Sequence, residues 1–314
     1  MGLGLAALGR PGYINLGHET DLGDQRDVAA MEVRTHKVLD AAWQAGIRYF
    51  DAARSYGRAE EFLGSWLGAR KPEGVTVGSK WGYTYTADWR IDAEKHEVKE
   101  HSLPVLERQV LESREQLGGS LNLYQIHSAT PESGVLENAA VLNRLAELKR
   151  EGLRIGLSVS GPQQAEVIRK AVGIRRDDQR LFDCVQATWN VLEQSAGPAL
   201  AEAHQAGMGV IIKEALANGR LTARNRDPGF TDKLWRLEDA ASSVGATSDQ
   251  LALATVLNRP WVSTALSGAA TVEHLTANVG AVDLVWSEEL WDRVSALKEI
   301  PDDYWSTRSD LRWN

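Results

Sequence analysis

The chain has 314 residues, with 35 Lys and Arg against 43 Asp and Glu, a formal charge of −8, and it is 43% hydrophobic and 25% charged. This is the mix of an ordinary globular protein, and the negative balance argues against a general binder of nucleic acid or anionic membrane, whose phosphates attract basic surfaces. Cys184 is the only cysteine, so neither an intrachain disulfide nor a cysteine-based zinc site is expected. No apolar run approaches the roughly 20 residues needed to span a bilayer. The opening Met1 to Arg10 lacks the basic stretch and cleavage-type ending of a signal peptide. A reducing, cytoplasmic setting is the expectation.

In chain order, short β-branched or aromatic runs predict strands at Gly2 to Ala6, Ile47 to Asp51, Val75 to Lys80, Leu121 to His127, Arg154 to Val159, Phe182 to Ala187, Gly209 to Lys213 and Val262 to Ser267. Between them lie stretches with apolar residues at helical spacing, among them Val33 to Ala45, Leu106 to Leu117, Leu136 to Lys149 and Ala199 to Ala206. Several of these helices run into glycine just before the next strand, at Gly46, Gly152 and Gly207, where positive φ commonly closes a helix. Eight strands alternating with helices predict a single (β/α)₈ TIM barrel over residues 1–314, with an open doubly wound sheet as the competitor. Pro11 to Asp27 breaks the alternation and reads as a loop inserted after the first strand. Residues 287–299 read as an extra C-terminal helix, and the tail after Pro301 is rich in aromatics.

In a barrel, chemistry collects where strands end. Asp51, Lys80 and His127 close the second, third and fourth predicted strands, and Tyr56 follows Asp51 by five residues. Each has an ordinary reading alone: a helix cap, a solvated charge, a structural histidine, a packing aromatic. Together they suit reduction of a carbonyl. An oxygen that accepts a hydride's electrons needs a proton donor. Tyrosine, with a free pKa of about 10, is a weak one unless a nearby ammonium lowers that value. Lys80 is expected to supply the ammonium, Asp51 to offset its burial, and His127 to orient the carbonyl oxygen. The hydride must come from a cofactor.

The run Gly46-Ile47-Arg48-Tyr49-Phe50-Asp51-Ala52-Ala53-Arg54-Ser55-Tyr56-Gly57, followed by Glu60-Glu61-Phe62-Leu63-Gly64, resembles the signature of the aldo-keto reductases. Ser79-Lys80-Trp81-Gly82 is similar to that family's lysine strand, and Leu123 to His127 to its histidine strand. Further similarities run through Ile155 to Ser158, Val185-Gln186, Val210 to Leu221 and Leu266 to Ala269, ending at Asn278. The resemblance implies a barrel with loops over the C-terminal face of its strands, no metal, and a tetrad of Asp51, Tyr56, Lys80 and His127 with Tyr56 as acid or base. It further implies that Ser158 and Gln186 hold the nicotinamide carboxamide, and that Ser267, Gly268, Ala269 and Asn278 border the adenosine end. The loop Gly219 to Gly229, with Arg220, Arg224 and Arg226, is expected to fold over the pyrophosphate. Trp81, Tyr83, Tyr85, Trp89 and Trp189 are expected to wall a pocket for a small carbonyl or alcohol substrate.

The chain departs from the family pattern in three places. Val159 stands where asparagine is usual. Lys213 stands where an aromatic residue commonly stacks on the nicotinamide. Gly268, Ala270 and His274 stand where basic residues often clamp a 2′-phosphate. NADP(H) is thus expected ahead of NAD(H), but with weak discrimination, because Ser267 to Asn278 holds no lysine or arginine. The alternative function weighed is a non-catalytic nicotinamide-binding redox sensor or interaction subunit on the same fold. Rival enzymes fit poorly: Gly2 to Ala7 fits G-x-G-x-x-A but does not follow a strand, no tyrosine has lysine four positions later, and the seven histidines are scattered.

Overall fold

A computed structural model describes residues 1–314. Eight parallel strands close into a barrel, in chain order Gly2–Gly4, Tyr49–Asp51, Thr76–Trp81, Leu121–Ala129, Arg154–Val159, Cys184–Thr188, Gly209–Lys213 and Thr264–Ser267, the last pairing back onto the first. All eight fall inside or within two residues of the stretches expected from the sequence. The sheet is parallel because a helix follows nearly every strand and returns the chain to the same edge. Helices include Val28–Gln44, Leu103–Leu117, Ala139–Arg150 and Gly197–Gln205, each overlapping a predicted one and all but the third starting earlier. The expected stops hold: Gly46, Gly152 and Gly207 all have positive φ (87°, 104° and 81°).

Side chains alternate across each strand, so one residue points into the barrel and the next outward to the helices. Outward residues such as Phe50, Val77 and Ile126 join Leu63, Trp66 and Leu106 of the helices in a continuous apolar layer of 58 buried residues. Full burial of each such side chain is worth about 1.5–3 kcal/mol. Inward residues at the strands' C-terminal ends are instead polar, and the register aligns them. Asp51 lies opposite Gly78, Lys80 opposite Gln125, and Gln186 opposite Ser158.

Three segments outside the barrel repeat cover that polar end. The insertion at 11–27 is mostly irregular but contains the short helix His18–Leu22. Tyr83–Tyr85 and Glu97–Lys99 pair as an antiparallel hairpin. Beyond the expected extra helix, observed at Glu288–Ser295, the aromatic tail forms another helix, Pro301–Ser309. Tyr304 and Trp305 of that helix anchor a second core of 15 buried residues with Leu221, Phe230 and Leu237. The tail then crosses to the insertion, where Tyr13 and Asn314 exchange two backbone hydrogen bonds of 3.1 Å each.

Candidate active site

Asp51 ends the second strand buried inside the barrel and is the hub of the site. Its carboxylate forms an ion pair with Lys80, 0% exposed, and accepts hydrogen bonds from the Tyr49 hydroxyl (2.8 Å), Gln125 Nε2 (3.1 Å) and Gln186 Nε2 (3.0 Å). Lys80 Nζ donates a second bond to the Ala52 carbonyl at 2.9 Å. A buried ammonium is tolerable only when paired and bonded in this way.

Tyr56 is set by the turn that follows. Gly57 has φ of 59°, and a Cβ there would collide with the carbonyl of Gly9, while a Cβ on Gly9 would collide with the carbonyl of Tyr56. Two glycines pack backbone to backbone, tied by the Arg58 amide donating to the Gly9 carbonyl at 2.7 Å. This locks the Tyr56 turn against the first strand's loop. The ring lies 5.4 Å from the His127 ring, edge to face, and the Lys80 ammonium stands 4.9 Å from the Tyr56 ring centroid.

Burial and the neighbouring Asp51 charge push the Tyr56 hydroxyl's pKa up, with the Arg10 guanidinium pulling the other way. The lowering expected from the sequence through Lys80 is not seen. Burial and the Asp51 carboxylate that pairs with the lysine prevail over it. Tyr56 is therefore held protonated. His127 is held neutral, its pKa driven well below the ordinary value by burial and then by the cations Lys80, Lys213 and Arg10. Its Nδ1 lies 3.4 Å from Ser55 Oγ, and its carbonyl meets His101 Nε2 at 2.8 Å. Nε2 of His127 has no protein partner.

Asp51, Tyr56 and His127 open onto one cavity of about 480 Å³ that continues to Ser267, Gly268, Ala269, Ala270, His274 and Asn278. Lys80 lies behind that wall. At the far end Asn278 Nδ2 donates to Ser267 Oγ at 2.8 Å, and the Gly268 and Ala270 amides have no protein partner. A cavity of this size, with hydrogen-bonding groups at both ends, suits an elongated polar ligand such as a nicotinamide dinucleotide.

Several expected site residues stand elsewhere. Ser158 is buried behind the wall, where its hydroxyl accepts from the Ser128 amide at 2.8 Å and fixes the kink after His127, at which Ser128 has φ of 53°. Gln186 does line the cavity, but its amide is bound to Asp51. Trp81 and Trp189 do not line it. Trp81 follows the inward Lys80 on its strand and must face the helices. Trp189 packs against Trp261 and Trp291, with ring centroids 5.3 and 6.1 Å away. Tyr83 sits behind His127, rings 4.8 Å apart. Arg220 is spent on Glu299 through two bonds of 2.8 and 2.9 Å beneath the loop. Arg226 is exposed.

Arg224 alone of the loop arginines reaches the cavity. It pairs with Asp21 of the insertion and lies 2.8 Å from His274 Nε2. The basic group missing from 267–278 is thus brought from a distant loop, already facing a carboxylate. The sequence reading also missed Glu214, which has φ of 56° and lies beside Lys213. Arg308 of the tail helix binds Glu214 through three contacts of 2.5–3.0 Å. Burial alone would raise the Glu214 carboxyl, but Arg308 and Lys213 outweigh it and bring it to about 2. Burial brings Lys213 down to about 8 despite Glu214, while Thr188 Oγ1 accepts from it at 2.7 Å. Arg10, Tyr13, Glu97 and Trp313 complete the wall near Tyr56. The sequence carries no periodic signal for this network.

Asp51, Tyr56 and His127 thus line one cavity at the C-terminal end of a parallel barrel, with Lys80 paired to Asp51 behind its wall. The Aldo/keto reductase family model matches residues 2–299, and the chain belongs to that family. Pyridoxal 4-dehydrogenase of Microbacterium luteolum is 25% identical over 86% of this chain and 85% of its own. D-threo-aldose 1-dehydrogenase of a Pseudomonas species is 24% identical over 84% and 88%. Among solved structures, an aldo-keto reductase from Bacillus halodurans in its holo form superposes with a TM-score of 0.74 at 21% identity, covering 96% of this chain and 92% of the other. No helix is long and apolar enough to cross a membrane, and no group of three or more His, Cys, Asp or Glu side chains is placed to hold a metal ion.

Proposed function

We propose that this oxidoreductase interconverts a carbonyl and an alcohol by hydride transfer, with Tyr56 as the proton donor in reduction and the acceptor in oxidation. One observation carries the reading: a protonated Tyr56 and a neutral His127 face the same cavity, with a paired lysine beneath them. A bound reduced nicotinamide would supply the hydride. Tyr56 then gives its proton to the carbonyl oxygen as negative charge develops there, and the Lys80 ammonium below the ring stabilises the tyrosinate left behind. His127, through its free Nε2, hydrogen-bonds the same oxygen and fixes its position. Asp51 holds Lys80 in place. Gln186, once released from Asp51, and Ser128 are the cavity groups nearest to hold the cofactor's carboxamide. Ser267, Asn278 and the free Gly268 and Ala270 amides would hold its adenosine end.

For the cofactor we infer NADP(H) over NAD(H) with weak discrimination. Arg224 offers a 2′-phosphate a positive charge, with His274 beside it, but Asp21 already balances Arg224. One charge-assisted contact is worth about 1.5–3 kcal/mol, so the two dissociation constants should differ by no more than roughly 100-fold. We place the enzyme in a reducing, cytoplasmic setting, in keeping with its single, buried Cys184. The test is steady-state oxidation of NADPH and NADH against aldoses, aryl aldehydes and aliphatic ketones. Turnover with at least one class supports the reading. Tight cofactor binding with negligible turnover throughout would favour the sensor alternative.

A further inference from the structure

Arg10 is 3% exposed, lines the active-site cavity, and has no role in the chemistry above. It follows the glycine that packs against the Tyr56 turn, so the same backbone contact that sets the proton donor sets the arginine. Its guanidinium is held between three rings, 4.6 Å from Trp313, 4.9 Å from Tyr13 and 5.2 Å from Tyr56. Cation–π contacts on this scale hold the group in place and leave its N–H bonds free to make hydrogen bonds.

Only one nitrogen does so. Nη1 donates to the Ser55 carbonyl at 3.0 Å and to Glu97 Oε2 at 3.1 Å. Nε is buried without a partner, and Nη2 has none either. These two nitrogens form one edge of the guanidinium, with parallel N–H bonds spaced to match the two oxygens of a carboxylate. Elsewhere in this protein that edge is used in just this way. Arg70 grips Asp40 through Nε and Nη2 at 2.9 and 2.9 Å, Arg90 grips Asp92 at 3.1 and 3.2 Å, and Arg169 grips Glu202 at 2.8 and 2.9 Å. Those three pairs lie on the surface. The free edge is the buried one, beside the proton donor, where an unmet donor is costly.

We propose that Arg10 is a specificity-determining residue that receives a carboxylate of the substrate, so that the preferred carbonyl compound is an oxo acid. This rests on the carbonyl-reduction reading and narrows its substrate class. Of the cations at the tetrad end, Arg10 alone has an unpaired hydrogen-bonding edge: Lys80 is matched by Asp51, and Lys213 and Arg308 by Glu214.

The first test is binding, and it needs no turnover. Trp313 lies 4.6 Å from the guanidinium, so intrinsic tryptophan fluorescence is titrated with benzoate and with its neutral isostere benzamide. Benzoate should bind at least tenfold more tightly in the wild-type protein, and Arg10→Leu should remove that advantage. Arg10→Lys, which keeps the charge but loses the paired edge, should retain only part of it. Equal affinity for the two ligands overturns the proposal, even if the variants fail to fold, and so does a benzoate preference that survives Arg10→Leu. The second test compares kcat/KM for succinic semialdehyde and butanal. The acid should be favoured about 10–100-fold, and the ratio should collapse in Arg10→Leu. Reduction of butanal with no preference for the acid sinks this proposal alone. Selective benzoate binding without turnover of any carbonyl sinks the reaction and leaves the site standing.

Discussion

The two halves of the active site are built by different means. The tetrad half stands on strand ends, where period-two alternation and parallel register bring Asp51, Lys80, Gln125 and Gln186 together. The covering half is assembled from the insertion, the hairpin and the tail helix, held by ion pairs that cross long stretches of sequence: Arg10–Glu97, Asp21–Arg224 and Glu214–Arg308. In the first, the barrel itself dictates which groups meet, so its chemistry is fixed by the fold. In the second, the contacts are side-chain choices that can change without disturbing the barrel. That half is where substrate and cofactor preference should reside.

If this division is right, damage to the first half should strike catalysis and damage to the second should strike stability of the cover or selectivity. The largest effect is expected from Lys80→Met. Activity should fall by about 10²–10⁴, as for a lost general acid, and the Tyr56→Phe/Lys80→Met double variant should be scarcely worse than either single one, because the two act as a unit. Multiplying losses in steady-state kinetics would show that they act separately. The buried Asp51 carboxylate loses its countercharge in this variant, so a lowered melting temperature should accompany the kinetic loss.

Next comes the tail. Glu214→Gln leaves Arg308 without its carboxylate, and breaking such a pair should cost about 3 kcal/mol, the lower end for a buried pair because Arg308 is a quarter exposed. The Glu214 carboxyl sits at about 2 in the folded chain, below its ordinary 4.5. Its contribution is therefore present above about pH 4.5 and is lost as pH falls toward 2. Urea unfolding across that window should show a steeper acid loss in the wild type than in Glu214→Gln. Parallel curves would mean the pair does not hold the tail.

The smallest expected effect is on cofactor choice. Asp21→Asn frees Arg224 and His274 from a facing carboxylate, and the ratio of NADH to NADPH dissociation constants should rise by about tenfold. Fluorescence titration of both reduced cofactors measures it. An unchanged ratio would place the 2′-phosphate away from this cluster.

The same division explains what could be read from the sequence. The barrel strands, the helix-ending glycines and the four tetrad residues follow from short-range pattern, and all four stand at one site. Trp81 occupies the outward phase of its strand and Trp189, just past the end of its own, packs on Trp261 and Trp291; counting aromatics near strand ends ignores such directions. Arg10, Glu97, Glu214 and Arg308 carry no periodic signal, since their partners lie up to 94 residues away. Only folding brings those charges face to face. Arg224 appeared in the sequence as one of several loop cations, and its meeting with Asp21 and His274 depends on where the insertion lands.

The central claim is that Tyr56 is the proton donor of a site whose binding functions lie elsewhere. The direct measurement pairs turnover with cofactor affinity in Tyr56→Phe, using whichever aldehyde the wild-type enzyme reduces best. The account predicts that kcat/KM falls by about 10²–10⁴ while the dissociation constant for the reduced cofactor stays within about threefold of wild type, a difference of under 1 kcal/mol. A Tyr56→Phe enzyme that keeps more than about half its activity, where loss of a general acid calls for at least about 10², would contradict it.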